Sequence, residues 1–176
     1  MNIQPIVEGD GELAAVPVLL RRLLDAAEAV QHASRRVIEG LSPLHLEELG
    51  IQKSIQKLFQ NAHSSLPTLA TDSQVDPRLD SLDGLLLQTI YRVVQEAVTN
   101  VIKHAQATGL NVVASVLGQA VTIEISDDGI GFPNGVSLGR GLTGMSDRIH
   151  ALDGTLELSR RSGRTIVRCV LPVNSP

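Results

Sequence analysis

The architecture of this chain can be worked out from LLLQTIYRVVQEAVTNVIKHAQA, which occupies Leu85–Ala107. Counted at about 100° per residue, its apolar side chains fall on one side of a helix: Leu87, Ile90, Val94, Ala97, Val98, Val101 and Ala105. The opposite side carries a polar stripe within about 40° of Glu96: Arg92, Asn100 and Lys103, with His104 at its edge. The pattern predicts an amphipathic helix whose apolar face packs on a sheet.

Strand patterns follow this helix. Val121, Ile123 and Ile125 alternate with polar residues, which is typical of a half-buried strand. Similar patterns predict two hairpins that turn at Gly118-Gln119 and Ser162-Gly163, with a helix between them. The strands are Leu110–Leu117, Ala120–Ser126, Thr155–Arg160 and Thr165–Leu171, and the helix is Met145–Leu152. We therefore expect an α+β fold, a two-layer sandwich with a mixed, mainly antiparallel sheet.

The N-terminal part reads as helical. An apolar seam at roughly heptad spacing predicts a helix over residues 13–39, and Gly40 and Pro43 end it. A connector, LHLEELG, leads to a second helix at about 51–63, in which one face is apolar: Ile51, Ile55, Leu58 and Phe59. A short strand is predicted at Leu66–Thr71.

The polar stripe carries residue types that suit a nucleotide. Asn100 is a poor helix former in a helix interior, and its amide oxygen is a ligand type that Mg²⁺ accepts alongside phosphate oxygens. Lys103 can contact a phosphate as a point charge. For the helix alone, a solvated face explains the same stripe, so both interpretations stay open here.

Two glycine-rich segments lie between the predicted strand Ala120–Ser126 and the predicted helix Met145–Leu152. DDGIGF, Asp127–Phe132, follows a strand, and GRGLTGM, Gly139–Met145, precedes a helix. Glycines permit close backbone approach, and N–H groups at a helix N-terminus favour phosphate. A carboxylate at a strand end can accept a hydrogen bond from an adenine amino group. Each motif alone also fits a simple turn, and their order is what favours a nucleotide site.

The ordered set QEAVTNVIKHA, DDGIGF, GRGLTGM and TIVRCVLP closely resembles the GHKL superfamily of ATPases with the Bergerat ATP-binding fold. Within it, the chain is similar to sensor histidine kinases of the nitrate and hexose-phosphate type, whose partners are NarL-type response regulators. The resemblance covers roughly residues 35–172. It implies ATP and Mg²⁺ as cofactors and transfer of the γ-phosphate to a histidine, for relay to a response regulator.

The resemblance also implies site residues. It assigns Asn100 to Mg²⁺, and Glu96 to orienting or activating the attacking group. Asp127 would bind adenine. Further nucleotide contacts or supports would be Lys103, His104, Gly129, Gly131, Gly139, Gly141, Leu142, Gly144 and Thr165. Two residues depart from the family pattern, because Asp153 and Arg164 stand where glycine is usual.

The domain organisation is inferred from the same resemblance. Residues 1–45 resemble the second dimerisation helix, and residues 46–176 the ATP-binding catalytic domain. None of the five histidines is followed by the acidic residue usual after a phosphoacceptor: His32, His45, His63, His104 and His150. We therefore expect a fragment without its acceptor, weakly dimeric or monomeric, from a kinase that is a homodimer at full length.

Composition limits the alternatives. The net charge of −4 disfavours a general nucleic-acid binder. The single cysteine, Cys169, fits a reducing compartment, and no apolar run reaches the ~20 residues of a membrane span. We expect a cytoplasmic domain, with the full-length protein anchored in the inner membrane as an open alternative. The competing functions are an anti-sigma type serine kinase, an ATP-hydrolysing clamp, and a non-catalytic module with a degenerate pocket.

Overall fold

The chain is described by a computed structural model for residues 44–132 and 139–173. The predicted helix over residues 13–39 and the proposed dimerisation segment lie outside these residues. Within them the helices are α1 (Leu44–Ser65), α2 (Gly84–Asn100) and α3 (Arg140–His150). The strands are β1 (Ala70–Val75), β2 (Gly109–Leu117), β3 (Ala120–Asp127), β4 (Thr155–Arg161) and β5 (Arg164–Pro172).

The five strands form one sheet in the order β1-β2-β3-β5-β4. Only β1 and β2 are parallel, and the other three neighbouring pairs are antiparallel. The hairpin between β4 and β5 turns through Ser162 and Gly163, both with positive φ. The predicted α+β sandwich with a mixed, mainly antiparallel sheet is therefore confirmed.

The core is mostly aliphatic, with Phe59 and Tyr91 as its buried aromatic residues, and it lies on one face of the sheet. Alternate residues of the central strands are buried, including Val112, Ile123 and Leu171, which are fully inaccessible to solvent. Helix α2 buries the predicted apolar side, with Ile90 and Val94 both fully buried. Burial also raises the pKa of the Cys169 thiol to about 12, so this cysteine is a packing residue with little thiolate character.

Helix α1 contains a break at the position where the sequence predicted the second helix to begin. The predicted connector LHLEELG is helical, and the chain leaves helical geometry only at Gly50, with φ 78° and ψ 171°. The Asp80 carboxylate accepts a hydrogen bond from the backbone N–H of Ile51 at 2.7 Å, so it caps the second half of the helix from 29 residues away. The prediction of an irregular connector was wrong for residues 44–49, which are helical, and the predicted start of the second helix near Ile51 coincides with the break.

Three other boundaries differ from the sequence prediction. The first strand is β1, several residues later than Leu66–Thr71, and a 3-10 helix, Pro77–Ser81, follows it. Helix α3 begins at Arg140 rather than Met145, because Gly139 takes an extended N-cap conformation. Helix α2 stops at Asn100, and Val101–Ala105 is π-helical. Within the described ranges, no helix has the length and apolar character that a bilayer crossing requires.

Candidate nucleotide-binding site

The polar stripe lies at the C-terminal end of α2. Glu96 and Asn100 are half-buried, and Lys103 and His104 are exposed on the π-helical segment. Gln106 then ends the segment in the left-handed conformation, with φ 51°. Wide π-helical turns occur often at functional sites. Here the turn follows Asn100 directly and sets the direction of the two basic residues.

The DDGIGF loop is held against this π-helical segment. The backbone N–H of Ile130 donates to the carbonyl of Ala105 at 2.8 Å. A Cβ at Gly129 would collide with that same carbonyl oxygen and would lie 2.8 Å from the Ala105 Cβ. Glycine is therefore required at position 129 for a close backbone approach, and the contact joins the polar stripe to the loop.

Asp127 is buried at the end of β3 and is only partly paired. Its Oδ1 accepts hydrogen bonds from the Gly129 N–H at 2.9 Å and from the Thr165 hydroxyl at 3.3 Å. No described residue donates to Oδ2. Since no fully inaccessible side-chain N or O atom in the described parts lacks a partner, Oδ2 of this buried residue keeps some contact with solvent. Asp127 can therefore offer one free acceptor to a ligand.

Asp128 has a different role from its neighbour. Its carboxylate accepts from the N–H groups of Thr108 and Gly109, both at 2.8 Å, and from the Thr108 hydroxyl at 2.6 Å. These hydrogen bonds, led by the one from the Thr108 side chain, lower the pKa of Asp128 from 3.8 to about 2. Asp128 therefore holds the turn that enters β2, and it has no free oxygen comparable to Oδ2 of Asp127.

The first turn of α3 lies directly against the polar stripe. A Cβ at Gly141 would collide with Oε1 of Glu96, so the structure brings these two predicted residues together. The N–H groups of a first helical turn have no partner within the helix and favour anions. Leu142 packs on the core next to them, and the Gly144 carbonyl accepts from the Arg148 guanidinium at 3.0 Å.

The two residues that stand where glycine is usual, Asp153 and Arg164, lie outside the candidate site. Asp153 has φ 55°, a conformation that glycine adopts more easily, which explains why glycine is usual there. Arg164 is exposed at the start of β5 and lies opposite Arg161. Neither residue is among those that carry the polar stripe, the DDGIGF loop or the first turn of α3.

Arg160 is a site residue that the sequence did not reveal. Its guanidinium donates to the Gly129 carbonyl at 3.0 Å and lies beside Gly131. The only available signal was its position in a predicted strand, where a charged residue ordinarily indicates a solvated face. The hairpin predicted at Ser162-Gly163 already implies that Arg160 lies opposite Thr165. The sequence could not show that the DDGIGF loop comes within reach of the Arg160 guanidinium.

Comparison with known proteins identifies the family. Residues 87–175 match the model of the histidine kinase-, DNA gyrase B- and HSP90-like ATPases. The chain belongs to this ATPase family. It is 34% identical over 140 residues to the histidine-protein kinase/phosphatase UhpB of Salmonella typhimurium, covering 78% of the chain and 28% of that protein. It is 30% identical to the sensor histidine kinase ComP of Bacillus subtilis, covering 74% and 17%.

Solved structures of histidine kinases share the fold. The histidine kinase AdeS of Acinetobacter baumannii superposes with a TM-score of 0.65 at 20% identity, over 98% of this chain and 88% of that one. The blue-light activated histidine kinase of Erythrobacter litoralis gives 0.61 at 20% identity, over 70% and 41%. The chain is thus an ATP-binding domain of the histidine kinase type, and it spans less than a third of UhpB and ComP.

Proposed function

We propose that this ATPase-family domain binds Mg-ATP between the polar stripe, the DDGIGF loop and the first turn of α3. The single observation that carries the proposal is the contact of Gly141 with Glu96. This contact brings an anion-favouring helix N-terminus next to the residues that suit a metal and a phosphate. The free Oδ2 of Asp127 would accept a hydrogen bond from the adenine amino group.

Mg²⁺ fits the oxygen donors that this site offers. The described residues contain no cluster of three or more His, Cys, Asp or Glu side chains that would form a cage made by protein alone. A site with few protein oxygens suits Mg²⁺, which is usually bound by one or two side chains together with substrate phosphates. In this proposal Asn100 is the metal ligand. When bound, the ion would neutralise charge on the phosphates.

The proposed reaction is transfer of the ATP γ-phosphate to a histidine. Glu96 would orient or activate the attacking imidazole, and Lys103 and His104 would lie near the phosphates. Gly139, Gly141 and Gly144, with Leu142 packed beside them, would frame those phosphates, and Thr165 would support the adenine end. Catalysis by such a site consists of positioning and charge stabilisation.

The full-length protein is proposed to work as a homodimeric kinase that phosphorylates a response regulator on the cytoplasmic side of the membrane. Residues 1–45 would contribute a dimerisation helix, and residues 46–176 the catalytic domain. The principal rival is an ATPase-family serine kinase. The two are separated by the product, because phosphohistidine is acid-labile and base-stable and phosphoserine shows the reverse.

The direct test is calorimetric titration with ATP, with and without Mg²⁺. Asn100→Ala should remove most of the gain in affinity that Mg²⁺ provides, on the order of 10–100-fold for a lost charge-assisted contact. Asn61→Ala, an exposed helical asparagine in α1, is the matched control and should bind as the parent does. An unchanged Mg²⁺ effect in Asn100→Ala would remove Asn100 from the proposed site.

A further inference from the structure

Arg160 lies at the end of a row of polar side chains that crosses three strands. In the register of the sheet, Asp127 of β3 is opposite Thr165 of β5, and Thr165 is opposite Arg160 of β4. Residues directly opposite one another point to the same face of a sheet. The row therefore runs along the end of the core-facing side, from the proposed adenine-binding carboxylate to the edge strand.

The Arg160 guanidinium closes a ring of contacts around this row. Its Nη2 donates to the Gly129 carbonyl at 3.0 Å, and its Nη1 lies 3.5 Å from the Thr165 hydroxyl. Asp127 completes the ring through the Gly129 N–H and the Thr165 hydroxyl. The guanidinium also occupies the space that a Cβ at Gly131 would need, so the DDGIGF loop is shaped around it.

The ionised carboxylate of Asp127 can only accept hydrogen bonds, so the single hydroxyl proton of Thr165 is donated to Oδ1. Arg160 contacts both groups that donate to Oδ1, because its guanidinium binds the Gly129 carbonyl and lies beside the Thr165 hydroxyl. Arg160 therefore helps to hold the carboxylate in the orientation that leaves Oδ2 as the free acceptor. An acceptor at this position matches a 6-amino purine and opposes a 6-oxo purine, which would present an oxygen to it.

We propose that Arg160 is a positioning residue for purine selectivity: it holds Thr165 and Gly129, and these two residues hold the Asp127 carboxylate in the orientation that presents Oδ2 to the base. The inference rests on the proposed function, since it takes Asp127 as the group that binds the base. Arg160 does not touch the nucleotide in this proposal. It acts through Thr165 and the Gly129 carbonyl.

The chain contains a matched control next to the residue in question. Arg161 follows Arg160 in β4, so its side chain belongs to the opposite face of the sheet. It is exposed and forms only a long surface ion pair with Glu157, at 3.8 Å. Removing either arginine changes the net charge equally. Only the removal of Arg160 eliminates the contacts with the Gly129 carbonyl and the Thr165 hydroxyl.

The experiment compares Kd values for ATP and inosine triphosphate, which differ at the 6-position of the purine, by calorimetry on the full chain. The parent should prefer ATP. Arg160→Ala should lower the ratio of the two affinities by on the order of tenfold, because a displaced Oδ2 would lose its hydrogen bond to the 6-amino group. Arg161→Ala should leave the ratio unchanged. Arg160→Lys should give an intermediate ratio, because one ammonium cannot reach both acceptors as the guanidinium does.

The outcomes separate this inference from the proposed function. A parent chain that binds neither nucleotide, or both equally, would contradict the adenine assignment itself. If the parent prefers ATP and Arg160→Ala retains the same ratio, Arg160 has no role in selectivity. Equal weakening of both nucleotides would also overturn the inference, since it indicates support of the loop alone. If Arg160→Ala does not fold, an unchanged ratio in Arg160→Lys decides against the proposal.

Discussion

Gly129→Ala should destabilise the domain because it breaks the contact between the DDGIGF loop and the end of the α2 region. The new methyl group would overlap the Ala105 carbonyl oxygen. That oxygen belongs to the backbone of the π-helical segment, so no side-chain rotation can relieve the overlap. The loop must move away, and the hydrogen bond from the Ile130 N–H to Ala105, now 2.8 Å, would be lost.

The size of the effect follows from these two costs. A lost backbone hydrogen bond costs about 1 kcal/mol net, and overpacking in a well-packed region costs about 1–3 kcal/mol. The free energy of unfolding should therefore fall by ~2–4 kcal/mol. Gly84→Ala is the control at the other end of α2. A Cβ at Gly84 meets nothing within 4 Å, so alanine should raise stability by up to about 1 kcal/mol.

Urea unfolding followed by circular dichroism measures both variants, with linear extrapolation to water. The two glycine-to-alanine changes should shift the midpoint in opposite directions. If Gly129→Ala unfolds at the same urea concentration as the parent, the loop does not approach Ala105 as closely as described. A second readout is nucleotide affinity, which should fall in Gly129→Ala, because moving the loop also moves the Asp127 carboxylate that Gly129 helps to hold.

Two further variants test other parts of the structure. Asp128→Asn should reduce stability at neutral pH and leave ATP affinity near that of the parent. The pKa of Asp128 is lowered in the folded state, so its stabilising contribution is complete above the unfolded pKa of 3.8 and is lost as the pH falls towards about 2. The stability difference between parent and variant should therefore shrink as the pH falls from 3.8 to about 2. A constant difference in urea titrations across that window would contradict the role assigned to Asp128. Asp153→Gly should stabilise the domain by about 0.5–1 kcal/mol. The left-handed conformation costs a non-glycine residue about 1–2 kcal/mol, and part of this gain is offset because glycine loses more conformational entropy on folding. Thermal melting measures this change, and a lower melting temperature would count against strain at Asp153.

The features that were predictable from the sequence depend on local periodicity. The apolar side of α2 and the alternation in β3 need only a repeat of 3.6 or 2 residues, and both were confirmed. The hairpin turn at Ser162-Gly163 was equally local. The assignment of DDGIGF and GRGLTGM to a nucleotide site remains a prediction for its individual residues, although the family itself is shown.

The features that were missed depend on contacts between distant residues. Asp80 caps the second half of α1 from 29 positions away, and local periodicity cannot indicate such a partner. Arg160 reaches Gly129 because β5 pairs with β3 as well as with β4, and the pairing with β3 joins distant parts of the chain. Helix α3 begins at Arg140 because Gly139 acts as its N-cap, which is a local cause. The sequence nevertheless indicated a loop there, because Gly141 and Gly144 lie inside the helix and glycine is a poor helix former.

The break at Gly50 divides α1 into two helical segments that are joined by a single non-helical residue. The backbone torsions there belong to a region that is essentially reserved for glycine, and a Cβ would press into the Asp80 carboxylate at 2.8 Å. Because the i to i−4 hydrogen bonding is interrupted at this point, the two halves can change their mutual angle without either half unwinding. A change in the angle between the two halves would therefore be taken up by the torsions of Gly50, and the second half would keep its N-terminal hydrogen bond from Ile51 to Asp80.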